Sequence, residues 1–391
     1  LFTTKKKDSS VSIQQKKCQQ SNFFCQILYY FGYSAINFAV HIITPNHILM
    51  KIAFYFCVIM VLLTCDSCTS LLKKEIKIGF LIHATTNARW QLDLAYIKER
   101  AAEIGATLII KDAEGDENAQ LKQALELLNS GVDALIVVAV NQNTAGGIVR
   151  EAHKFSIPVI GYDSNIKNSD LDYLVSFEYE KVGQYMIDYC VQKSPKGNYI
   201  LLWGDAANAN AVLIKNGQTK ALDPLIMNGT VNIAYKTFVD GWKQVNAKQI
   251  MDHILDFYPE KIDVVVASND PMALGAWESL SEHGYAPNET IIIGQDATLE
   301  AIHSMLKGGV TMSINKPIKE LAYGSIDLVV DLVRNGKTKA FDKRVNNGRR
   351  DVPAKLFSPS VVDLSNLNSE IITKGKYTHN EVYAEALSAK R

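Results

Sequence analysis

The chain has 391 residues, 41 basic and 41 acidic side chains, and 47% hydrophobic residues. At roughly 100–200 residues per domain the length predicts two domains, and this apolar share excludes wholesale disorder. A net charge of zero gives no electrostatic reason to expect a nucleic-acid partner.

The first element is not part of a fold. Residues 1–49 mix Lys5, Lys6, Lys7, Lys16 and Lys17 with aromatic residues, and no periodicity lasts. Met50 is the first methionine, followed by Lys51 and an apolar run over residues 52–63. A short basic start and a ~7–15-residue apolar core make a signal peptide, whereas a spanning helix needs ~20 residues. The expectation is an export signal over residues 50–68, with residues 1–49 an upstream extension. Leu62-Leu63-Thr64-Cys65 resembles a lipobox, so Cys65 is the candidate for lipidation and Cys68 the second choice. The alternatives are a genuine extension with a short membrane anchor, and an ordinary signal peptide with incidental cysteines. Of the six cysteines only Cys190 falls in the globular part, so no internal disulfide forms there.

From Glu75 onward strands and helices alternate. Residues 76–82 predict a strand, and Leu94, Ile97, Ala101 and Ile104 line one face of the next helix. Strands over 107–110, 134–140 and 157–162 alternate with helices over 120–129 and 148–155. The pattern restarts after Phe177, with strands over 199–203, 231–237, 263–267, 290–293 and 311–314. Helices lie between them, another spans 318–334, and strand-like pieces follow near Phe341 and over 360–364. Near-continuous apolar strands between amphipathic helices predict parallel sheets covered on both faces. The fold class is therefore α/β, with two doubly wound parallel-sheet lobes of five or six strands each. No Pro-, Gly- or Ser-rich linker divides them, so the short join at 177–179 reads as a hinge.

In such sheets ligands bind beyond the carboxyl ends of the strands. Those ends deliver polar residues: Arg89 and Trp90 after the first strand, Asp163-Ser164 after residue 162, and Asn208 and Asn210 after residue 203. Asp240-Gly241-Trp242, Asn269, Asp296 and Lys316 follow later strands. Carboxylates accept from vicinal hydroxyls, Asn both donates and accepts, and Arg and Lys donate. Trp90 and Trp242 could stack on the C–H faces of a sugar ring. For each Asp or Asn the competing role is a helix cap or turn. Trp203 and Trp277 read as core. The eight histidines have no metal spacing, and no cofactor is expected. Neither G-x-G-x-x-G, G-x-S-x-G nor H-E-x-x-H occurs, which leaves an enzyme without a signature.

Longer stretches carry a resemblance. Arg89-Trp90-Gln91, Tyr162-Asp163, Val239-Asp240-Gly241-Trp242, Ala267-Ser268-Asn269-Asp270, Gly294-Gln295-Asp296-Ala297 and Lys316-Pro317 occur in order. Over residues 75–383 the chain resembles the type I periplasmic sugar-binding proteins of ABC transporters, the xylose-binding branch above all. That resemblance implies a non-enzymatic, monomeric binding protein for an aldopentose, D-xylose first, serving a membrane permease and ATPase. A sensory input protein for a histidine kinase or chemoreceptor is the alternative, and a sugar-acting enzyme a remoter one. It implies that Arg89, Asp163, Asn210, Asn269, Asp296 and Lys316 hold the sugar between Trp90 and Trp242. It further implies an N-terminal lobe of residues 75–178 and 317–348 and a C-terminal lobe of 179–316 and 349–391. Hinges are expected at 177–179, 316–317 and 347–351. Three features depart from the branch's pattern: Ser164 stands where an Arg is usual, Asn208 where an Asp is, and the loop over residues 83–88 differs throughout.

Overall fold

The computed structural model describes residues 75–388 except Asn87, residues 337–340 and Asp342. The expected export signal, Cys65, Cys68 and residues 1–49 lie outside the described residues. Two sheets form. In the first lobe, β1 (Lys77–Ile82), β2 (Thr107–Asp112), β3 (Ala134–Val137), β4 (Val159–Tyr162) and β5 (Tyr173–Phe177) are joined by β11 (Lys343–Asn346) and β12 (Asp351–Phe357). The order is β11-β12-β5-β4-β3-β1-β2. In the second, β6 (Gly197–Trp203), β7 (Val231–Phe238), β8 (Val264–Ala267), β9 (Ile291–Gln295), β10 (Met312–Asn315) and β13 (Ser360–Val362) run β13-β10-β9-β8-β6-β7.

Every pairing is parallel except β11 with β12 and β13 with β10, each at a sheet edge. Central strands such as β3 and β8 are buried at every residue, which is why they read as unbroken apolar runs. Helices α1 (Ala88–Ile104), α2 (Glu117–Asn129) and α3 (Gly146–Lys154) cover the first sheet together with α9 (Ile318–Asn335). The second carries α4 (Tyr179–Lys193), α5 (Ala209–Met227), α6 (Gln244–Phe257), α7 (Asp270–Glu282), α8 (Leu299–Leu306) and α10 (His379–Ser388). In both sheets the strand order reverses at the first strand, between β1 and β3 and between β6 and β8. These are the switch points where a crevice opens.

Two expectations need correction. The first lobe has seven strands, not five or six. Residues 349–357 also belong to it, because β12 pairs in parallel with β5, Ala354 opposite Leu174. The 347–351 segment is accordingly a hairpin turn inside one lobe, not a hinge. Asn347 is buried there, donating to the carbonyls of Ile166 and Ser169 and accepting from the backbone of Arg349 and Arg350. The chain passes between the lobes at Glu178, at Pro317 and at Ser358-Pro359. Glu178 ties the first and third passages together. Its carboxylate accepts from Lys181, Lys343 and Ser358, and its amide bonds Phe357 O at 3.0 Å. Partial burial opposes its charge, yet those donors pull its pKa down to about 2.

One close approach fixes the start of two helices. At Gly183 on α4 and Gly217 on α5, a Cβ would come within 2.0 Å of a carbonyl oxygen of the facing helix. Glycine therefore lets the two backbones touch. This contact sets Tyr179, the first residue of α4, relative to Asn210 at the start of α5.

Candidate sugar-binding site

The carboxyl ends of the two sheets face one another across a cavity of about 120 Å³. Each lobe supplies one carboxylate in the same local conformation. Asp163 directly follows β4 and Asp296 directly follows β9, with φ of 65° and 105°. Each amide bonds a carbonyl of the adjoining strand, Val175 O and Ile314 O, both at 2.8 Å. Non-glycine residues at positive φ are uncommon and cluster at ligand sites, where surrounding bonds hold them. At Asp163 those bonds are dense. Ser176 Oγ donates to its carbonyl, and Ser164 N bonds back to Tyr162 O at 2.7 Å, closing a tight turn.

The Asp163 carboxylate gathers donors from both lobes. Arg89 Nη2 donates at 2.6 Å from α1, Asn210 Nδ2 at 2.8 Å from α5, and Tyr179 OH from the start of α4. Arg89 is braced from behind by Asp93 at 3.2 Å, one turn on, and its guanidinium lies 4.1 Å from the Trp90 ring centre. Burial works against the Arg89 charge, but Asp163 and Asp93 hold its pKa well above the usual value. Asp93 is wholly buried, and that burial lifts it to about 6 against the pull of Arg89 and Tyr162.

Across the cavity, Lys316 Nζ pairs with Asp296 Oδ1 at 2.8 Å. Burial disfavours both charges. Lys316 is lowered by it despite Asp296, whereas Asp296 still falls below the usual carboxylate range because Lys316 and Arg89 face it. Two cations and two anions thus line one small space. Their charges cancel, and each carries hydrogen-bonding capacity suited to a neutral polyol.

Trp242 closes another wall. Its backbone sits at φ 58° in the short turn Asp240–Trp242. Gly241 N bonds Asp205 Oδ2 at 2.8 Å, and Asn269 Nδ2 bonds Trp242 O at 3.1 Å. Asn208 and Asn269 each cap a helix, accepting from Asn210 N and Met272 N, and also line the cavity. For these two, the cap and the wall are the same residue.

Of the residues expected from sequence, Arg89, Trp90, Asp163, Asn208, Asn210, Trp242, Asn269, Asp296 and Lys316 all line the cavity. Ser164 does not. The turn at Asp163 directs its short side chain into the protein interior, where its exposure is 1%. His83, Ala84, Thr86, Tyr179 and Gln295 line the cavity and were not anticipated. Burial lowers the His83 pKa despite Asp205 and Asp112. Among the described residues, no cluster of three or more His, Cys, Asp or Glu side chains could hold a metal, and no helix is long and apolar enough to cross a membrane. Cys190 is buried in α4, and burial pushes its thiol far up.

Residues 78–338 match the profile described as a periplasmic binding protein domain. The chain belongs to the periplasmic binding protein family. The D-xylose-binding periplasmic protein of Haemophilus influenzae is 38% identical over 310 residues, covering 79% of this chain and 93% of that one. Its counterpart from Escherichia coli is 37% identical over 322 residues, covering 81% and 97%. Among solved structures, an ABC transporter solute-binding protein from Clostridium phytofermentans with bound β-D-glucose superposes with a TM-score of 0.74. It is 27% identical and covers 78% of this chain and 99% of its own. Like other periplasmic binding proteins, this one is two parallel-sheet α/β lobes with its cavity between them. The names of these relatives are those of binding proteins, not of enzymes.

Proposed function

We propose that this protein captures an aldopentose, D-xylose first, outside the cytoplasm and presents it to an ABC permease and ATPase. The observation that carries the reading is the pair of opposed ion pairs, Asp163–Arg89 and Asp296–Lys316, one on each side of a cavity walled by Trp90 and Trp242. Such a wall takes an uncharged ring with vicinal hydroxyls: the carboxylates accept, the cations donate, and the indoles cover apolar C–H faces. The relatives that bind D-xylose by name support the choice of sugar.

Capture works by closure of the two lobes about the passages at Glu178, Pro317 and Ser358-Pro359. Asp163 of the first lobe bonds Asn210 of the second, so this arrangement joins the lobes at the cavity itself. A sugar touching both lobes favours that arrangement by its differential contacts. The protein works as a monomer, anchored to the membrane only by lipid on Cys65, or on Cys68 as second choice.

Native mass spectrometry with an equimolar mixture of D-xylose, D-ribose, L-arabinose, D-glucose and D-galactose is expected to show one pentose bound per chain. A hexose adduct, or no adduct, contradicts the sugar class. Intact mass of the protein extracted from membranes is expected to show a diacylglyceryl-modified N-terminal cysteine. An unmodified Cys65 and Cys68 in the mature chain would remove the anchor.

A further inference from the structure

Asp296 and Ala297 are consecutive non-glycine residues at positive φ, 105° and 45°. Such a pair persists only where its surroundings fix it. Three of the fixing bonds come from the second lobe's own sheet edge and α7. Asp296 N bonds Ile314 O, Ala297 N bonds Ser313 Oγ at 2.9 Å, and Thr298 N bonds Asp270 Oδ2 at 2.7 Å. The fourth comes from 80 residues away: Lys376 Nζ donates to the Asp296 carbonyl, and also to Asn315 Oδ1 at 2.9 Å. One ammonium group thus bridges the ends of β9 and β10, at Asp296 itself and at the neighbour of Lys316.

The segment carrying Lys376 is locked in place. Ile371 and Val382, on either side of it, pack into one buried cluster with Ala297, Ile302 and Val362. Gly375, at φ 74°, turns the chain, and Lys376 N bonds Ile371 O at 3.0 Å. This segment lies beyond the region matched by the family profile.

We propose that Lys376 is a positioning residue of the sugar site, holding the left-handed turn at Asp296 so that the carboxylate and its Lys316 partner face the cavity. The inference rests on the sugar-binding reading above. It also makes the C-terminal segment part of the binding apparatus, not merely a cover for the second lobe.

The charge on Lys376 gives the test a signature. Burial lowers its pKa to about 8; Asp296 and Asp270 work to raise it, and Lys316 and Arg89 to lower it further. Above its pKa the Lys376 amine donates only an uncharged, weaker hydrogen bond to the Asp296 carbonyl, so affinity is expected to fall as pH rises through about 8. Calorimetric titration of D-xylose into the wild-type protein, Lys376→Met and Lys376→Arg, at pH 7 and pH 9, reads this out. Lys376→Met is expected to lose roughly tenfold or more in affinity, the worth of a hydrogen bond to a charged group. It should also lack the wild-type decline above pH 8, while Lys376→Arg keeps most of the affinity and, always charged, shows no such decline. Wild-type binding left within twofold by Lys376→Met, with the same pH profile, overturns the inference alone. If Lys376→Met does not fold, Lys376→Gln is titrated in its place, and an affinity within twofold of wild type overturns the inference. No sugar binding by the wild-type protein overturns the sugar reading and takes this inference with it.

Discussion

Asp163→Ala is expected to weaken sugar binding at least about a hundredfold, a loss of roughly 2.7 kcal/mol or more. Three effects add. The carboxylate that accepts sugar hydroxyls is gone, and a hydrogen bond to a charged group is worth about 1.5–3 kcal/mol. Arg89, Tyr179 and Asn210 lose the group that aims them, since all three donate to it. The inter-lobe bond from Asn210 also disappears, so closure loses a contact. Stability should fall as well, because removing one partner of a buried ion pair strands the other, typically at about 3–5 kcal/mol. Asp93 still braces Arg89 at 3.2 Å, which places the loss at the lower end of that range. Asp163→Asn separates the two effects: it keeps the shape, loses the charge, and should retain more stability than affinity. Calorimetry and thermal melts of both variants check this. Affinity of Asp163→Ala within threefold of wild type would exclude Asp163 from the site.

Gly204→Ala is expected to impair binding without any change to a group that touches sugar through a polar atom. A Cβ at Gly204 would come within 2.2–2.3 Å of three atoms of the Trp242 ring. The Trp242 backbone cannot yield easily, since Asp205 and Asn269 hold its turn and its φ is already 58°. The ring must move, and the ring is a wall of the cavity. Forcing one methyl group into a packed site costs about 1–3 kcal/mol, here taken largely from affinity. The double variant Gly204→Ala/Trp242→Ala should bind like Trp242→Ala alone, because the clash then has no partner. Sugar titrations of the two single variants and the double variant measure this coupling. Additive losses would show that Gly204 acts elsewhere than through Trp242.

The site was legible in the sequence where one strong contrast marked it. Asp163, Asn269, Asp296 and Lys316 each end or follow an apolar run, so a polar residue at the sheet edge stands out. Tyr179 carried no such mark. It is the first residue of a helix whose inward face is aromatic and aliphatic, and only its hydroxyl reaches Asp163. Lys376 was hidden for another reason: its partner lies 80 residues away, and no local periodicity encodes a long-range pairing. Ser164 was singled out because it stands where an Arg is usual in the resembled branch, yet its side chain does not reach the cavity. A left-handed residue turns the chain, and the next side chain points inward. One strand of the first lobe was missed through composition. β12 begins with Asp351 and contains Pro353, residues that argue against a strand interior. Its pairing with β5 overrides that preference.

Titration calorimetry of the purified protein with D-xylose, D-ribose, L-arabinose, D-glucose and D-galactose tests the account most directly. One sugar per chain should bind, with D-xylose the tightest of the five. No heat with any of them would contradict the sugar site built on Asp163, Asp296, Arg89 and Lys316.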